Sequence, residues 1–196
     1  MQLDRQWFES PPAWVVRRLT QTAWVIAALG VFAFLIVGAN RPANPYLVPV
    51  TGRVTDKHFS GFGATFVTIT AGTGLRASHR PVCALLATTT AQQDRGLMNQ
   101  TSLHGWPGMV FEFPAPTQVR FYMKDTLIPL SIAWFAADGG YVSSTNMNPC
   151  PATVTPCPTF GASATYQTAI EVPKGGLAAL GIGPGSSIQL GGPCSG

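Results

Sequence analysis

The chain has 196 residues, 46% of them hydrophobic and only 10% charged, enough apolar material for one domain with a real core plus appendages. Its net charge of +4 comes from scattered basic residues, Arg17-Arg18 being the one adjacent pair, so the basic patch of a nucleic-acid-binding protein is missing. Abundant glycine (21) and proline (17) favour a turn-rich, mainly β protein over a helical bundle.

Residues 1–22 read as a short cytoplasmic segment in which "SPPAW" breaks any helix before Trp14. The run "AWVIAALGVFAFLIVGA" (23–39) carries 17 residues without a charge and without a polar stripe. As a helix it spans roughly 26 Å, and Asn40 brings it closer to the ~30 Å hydrocarbon core. Arg17, Arg18, Trp14 and Trp24 stand at its start as interfacial anchors. The sequence therefore predicts a single transmembrane helix over 23–40, with the lipid bilayer as partner, the N-terminus cytoplasmic and the remainder outside the cell membrane. A cleaved signal sequence ending at the small residues "VGA" is the competing reading. Residues 41–60, "NRPANPYLVPVTG" onward, read as a proline-rich linker.

A β-rich domain is expected over 61–192. Strands are predicted at "FGATFVTIT" (62–70) and "PVCALLATTT" (81–90). A short helix follows at 89–98, where Thr89 and Gln92 have capping-box spacing and Gly96 marks the end. "GMVFEFPAP" (108–116) is a strand with Met109, Phe111 and Phe113 on one face. "TQVRFYMKD" (117–125) and "PLSIAWFAADGGYVSST" (129–145) continue the sheet, with a hairpin turn at Asp138-Gly139-Gly140. A strand at 166–173, a second short helix ending at Gly181 and a last strand "GSSIQL" complete it. The fold class is thus mainly β (α+β), a compact sandwich or small barrel-like domain with two short helices after one membrane span.

Cys150 and Cys157 lie seven apart in the proline-rich "NPCPATVTPCP". A short disulfide, two free thiols and a metal site are the readings, and the missing CxxC and ligand-spaced histidine weigh against metal. Cys83 reads as a small core residue and Cys194 has no assignable partner. His58, His79 and His104 are far apart without ligand spacing, and "SLHGWPGM" is a loop whose Trp106 packs on the sheet. No metal and no cofactor are expected.

Three stretches then stand in order: "QQDRGLM" (92–98), "GMVFEFPAPTQVRFYMKDTLIPLSIAWF" (108–135) and "YQTAIEVPKGGLAALGIGPGSSI" (166–188). Their motifs resemble the domain of unknown function 192 family, whose members are often secreted or tethered. The resemblance implies the fold and an extracytoplasmic placement but no substrate and no catalytic set. It implies recurring polar positions at Arg95, Lys124, Asp125 and Thr126, and a "PC…PCP" loop before the Tyr166 strand. Two acids of the family pattern are absent, with Ser131 after "PL" and Ser186 after Gly185.

In an extended strand Lys124 and Asp125 point to opposite faces, and Pro129 implies an edge or bulge nearby. One reading is structural: Lys124 snorkels, Asp125 accepts backbone N–H groups in a turn, or an Arg95–Asp125 bridge pins the helix to the sheet. Another brings Arg95 and Lys124 to one cleft for a small anionic ligand, with Asp125 and Thr126 beside them. A catalytic Lys124 lacks a neighbouring nucleophile or acid. The sequence thus points to a membrane-anchored extracytoplasmic binding or accessory module. An accessory subunit of a membrane-protein complex and an envelope enzyme are the alternatives.

Overall fold

The computed structural model describes residues 52–76, 81–151 and 153–195. The expected transmembrane run at 23–40 and His79 lie outside these residues. Among the described residues no helix is long and apolar enough to cross a membrane.

The elements in chain order begin with β1 (Gly52–Arg53), a 3-10 turn at Lys57–Phe59, β2 (Gly63–Thr70) and β3 (Val82–Ala87). The helix α1 (Thr90–Arg95), β4 (Met109–Thr117), β5 (Phe121–Tyr122), β6 (Leu130–Phe135) and β7 (Tyr141–Met147) follow. The chain closes with β8 (Thr159–Phe160), β9 (Tyr166–Pro173), a 3-10 turn at Ala178–Leu180 and β10 (Ser187–Pro193). The main sheet runs β1-β2-β3-β4-β9-β6-β7, with β10 also on β2, while β5 and β8 form a separate pair. Among the described strands, β3 and β4 alone pair in parallel, through the crossover that carries α1.

The sheet curls into a half-barrel because its far ends meet. Gly140 bridges Ser187, the Tyr141 N–H donates to Ser186 O, and the Ile188 N–H donates to Gly139 O. A Cβ at Gly139, whose φ is 82°, would collide with Ile188 O, so the hairpin turn that the sequence marks also sets how closely β10 approaches.

Strand alternation sorts the apolar residues into two clusters. Inside the curl lie Val67, Leu86, Val110, Ala133, Phe135 and Ile170, closed by Ile182 and Ile188. On the other face Leu85, Met109, Phe111, Ile132 and Trp134 pack under α1 and the 97–106 loop, which adds Leu97, Leu103 and Trp106. Strand β6, paired on both sides by β9 and β7, is buried along its whole length, which explains why "LSIAWF" carries no alternation. Trp134 Nε1 is the buried side-chain polar atom among the described residues with no hydrogen-bond partner.

Two expectations are corrected. The proline-rich stretch does not extend to residue 60: β1 pairs with β2, and Val54 and Phe59 enter the core. The second helix is only a 3-10 turn, capped by Gly181 in the left-handed region, since "KGGLAALGIG" has glycine at both ends and too few residues to nucleate an α-helix. Cys83 packs against the core, as expected. It forms a disulfide with Cys194, 111 residues away, while Cys150 pairs with Cys157.

Candidate binding site

Helix α1 buries none of its six residues; polar side chains hold it instead. Thr89 Oγ1 accepts from the Gln92 N–H, and Gln92 Oε1 accepts from the Thr89 and Thr88 N–H groups, the reciprocal capping box that its spacing predicts. Gln92 Nε2 then donates to Gly61 O at 2.7 Å and Gln93 Nε2 to Glu112 O at 2.8 Å. Arg95 donates to Ser60 O at 2.8 Å, with its guanidinium 4.0 Å above the Phe62 ring. Arg95 is therefore a clamp between α1 and the 59–62 turn, and its partners are Ser60 and Phe62, not Asp125.

Below this clamped helix lies a cavity of about 460 Å³. Phe111 and Phe113 of β4 and Phe121 of β5 wall it, and the C-terminal end of α1 with Leu97 closes one side. Phe111 and Phe121 meet edge to face at 5.1 Å, which fixes both rings. The floor is Glu171 of β9. Its register partners are Met109 on β4 and Ile132 on β6, so its carboxyl shares the face of the aromatic cluster. Glu171 is 5% exposed, and burial pushes its carboxyl up to about 8. Gly108 leaves the backbone room here, since a Cβ there would collide with Glu171 O. Burial likewise raises the Tyr166 phenol, whose hydroxyl donates to Val119 O at 2.7 Å.

The four polar positions of the Arg95 and "MKDT" motifs divide between two places. Arg95 and the buried Thr126 line this cavity. Lys124 and Asp125 line a second cavity of about 420 Å³ against the Cys150–Cys157 loop, and Tyr122 borders both. Arg95 and Lys124 thus do not converge on one cleft. The cause is local: residues 123–126 are a turn, not strand, closed by Thr126 N–H to Met123 O at 3.2 Å.

Asp125 occupies the left-handed region there (φ 53°), with its carbonyl accepting from the Asn99 N–H at 2.7 Å. This conformation favours Asp, Asn or Gly. Asp125→Gly and Asp125→Asn should melt within about 1 kcal/mol of the parent, whereas Asp125→Val should lose about 2 kcal/mol in urea unfolding.

Ser131 and Ser186 line neither cavity. The Ser131 hydroxyl bonds Asn146 Oδ1 and accepts the Gly175 N–H, tying β6 to β7 and to the turn after β9. Ser186 Oγ caps the turn at Gly183. His58 and His104, unrelated in sequence, stack at 3.9 Å. Among the described residues no group of three or more His, Cys, Asp or Glu could hold a metal ion.

The domain is thus a β-rich half-barrel with an aromatic-walled cavity whose lining includes a buried carboxyl. The chain belongs to DUF192, described as an uncharacterized ACR, whose model matches residues 73–190. Among solved structures, a Sinorhizobium meliloti protein is similar over 66% of this chain and 95% of its own, at 22% identity and a TM-score of 0.56. That protein is described as a candidate transcription regulator, and at that identity the likeness shows the fold alone. A protein of unknown function from Novosphingobium aromaticivorans is similar over 65% of this chain and 84% of its own, at 28% identity and a TM-score of 0.51. No curated protein matches the chain.

Proposed function

We propose that this chain is a membrane-anchored, extracytoplasmic binding module that takes a small, largely apolar ligand into the cavity beneath α1, with one polar group of the ligand against Glu171. The observation that carries the reading is the Glu171 carboxyl on the floor of an aromatic-walled space. A buried ionisable group with no structural ion pair is costly to a fold and is a marker of functional sites. The charge-free run at 23–39 and the two disulfides support the tethered, oxidising location. Arg95, spent on Ser60 and Phe62, acts here as scaffold, so an anionic ligand held between Arg95 and Lys124 is the weaker form of the reading.

A second reading, an accessory subunit docking on a membrane partner, draws on the exposed apolar side chains of Val119, Tyr122 and Val154 around the two cavities. Thermal unfolding of the full chain against a panel of small aromatic alcohols, ketones, amines and carboxylates separates the two. A ligand at about 100 times its Kd should stabilise the domain by roughly 2.7 kcal/mol, and the shift should shrink in Glu171→Leu. A panel without a single shift would sink the binding reading and favour the docking one.

A further inference from the structure

Resting on that reading, we infer that the ligand group seated on Glu171 is an ammonium, so that the cavity takes a small aryl- or alkylamine. Two observations lead there, and a proton balance follows from them.

The floor of the cavity offers one ionisable side chain, and it is acidic. The groups that flank Glu171 across the sheet, Met109 and Ile132, are apolar, while Glu112 on β4 is exposed and belongs to the opposite face by strand alternation. From α1 come Asp94 and Arg95, and from the segment ahead of and within β5 come Arg120 and Tyr122; all four are exposed. Both guanidiniums are already occupied, Arg95 by Ser60 O and the Phe62 ring, Arg120 by Thr159 Oγ1 and O at 2.8 and 2.9 Å. In the water-poor interior the acid therefore governs, while the rim charges are screened.

The walls are the second observation. Phe111, Phe113 and Phe121 line the same cavity as Glu171, and aromatic rings attract a cation while giving an anion nothing. A ligand carboxylate would meet Glu171 with no free cation between them. A neutral alcohol or ketone would gain a single hydrogen bond. An ammonium gains a charge-assisted pair and the ring contacts together.

The proton balance follows. Burial raises the Glu171 carboxyl to about 8, so it holds its proton at neutral pH. An amine enters as R-NH3+, keeps its three protons, and drives the Glu171 proton into solvent, leaving the pair R-NH3+ with carboxylate. Binding thus releases one proton below pH 8, and affinity should rise about 50-fold from pH 6 to pH 8 before levelling.

The test is calorimetric titration of the full chain with phenethylamine, phenethyl alcohol and phenylpropionate at pH 6.5, in two buffers of different protonation heat. The expected result is tightest binding by the amine, with close to one proton released per amine and none per alcohol. Glu171→Gln should abolish the proton release and bring the amine to or below the alcohol. The proton count on the parent chain stands without any variant. Alcohol binding as tight as amine binding, with no proton released, would overturn the amine assignment and leave the cavity reading intact. Silence from all three compounds, together with a silent thermal panel, would overturn both.

Discussion

Replacing Cys83 and Cys194 together by alanine is expected to cost about 4–5 kcal/mol of stability, the largest loss from any covalent change in the domain. The 111-residue separation of the two cysteines is the reason. Cross-linking residues so far apart removes much of the loop-closure entropy of the unfolded chain, an effect that grows with the logarithm of loop length. The bond also joins β3 to the end of the chain, on either side of β2, which pairs with both β3 and β10. Removing Cys150 and Cys157, only seven apart, should cost about 2 kcal/mol by the same relation. Urea midpoints of the parent and the two double variants measure the difference. The account requires the Cys83–Cys194 variant to be the weaker one, and the reverse order would contradict it.

Glu171→Gln is expected to make the protein less sensitive to alkali. The Glu171 carboxyl is raised from 4.5 to about 8 on folding, so between these values the native state holds a proton that the unfolded chain has lost. Stability from this group is therefore fully present below pH 4.5 and is lost as pH rises through about 8. Between pH 5 and pH 8 the loss amounts to about 3 kcal/mol. The glutamine variant, isosteric with the protonated acid, has nothing to titrate. The two proteins should unfold at similar denaturant concentrations near pH 5 and diverge by about 3 kcal/mol at pH 8, with the variant the more stable. Parallel stability curves across that window would mean that Glu171 is ionised in the fold.

Local signals in the sequence translate directly into structure. Thr89 and Gln92 form their capping box, Asp138-Gly139-Gly140 make the β6–β7 turn, and Met109, Phe111 and Phe113 share the buried face that their alternation predicts. Trp106 packs into the core from its loop. Each of these depends on residues within a few positions of one another. What the sequence hides is non-local. In "YQTAIEVP" Glu171 alternates with Ile170 and Val172 as an outward-facing residue would, yet that face is covered by α1, carried there by the β3–β4 crossover, and by the 121–126 segment between β4 and β6. The signal that could have singled it out is an isolated acid in a strand otherwise free of charge. The Cys83–Cys194 pairing has no local trace either. Arg95 and Lys124 separate because β5 ends at Tyr122 and residues 123–126 form a turn, with Asp125 in the left-handed region.

The division of the "MKDT" motif now has a physical content. Met123 and Thr126 face inward, Met123 fully buried in the core and Thr126 against the cavity, while Lys124 and Asp125 form the exposed part of the turn. A motif that looks like a charge pair is thereby a turn that seals one wall of the site. Its aspartate is chosen for conformation at least as much as for charge.

The measurement that tests the account most directly is a carbon NMR titration of the Glu171 carboxyl in the full chain, assigned through Glu171→Gln. The account predicts a midpoint near 8, falling when phenethylamine is added, because the ammonium stabilises the ionised form. A midpoint near the ordinary value of 4.5, unmoved by the amine, would mean that the carboxyl is solvated and that the cavity is not the site proposed here.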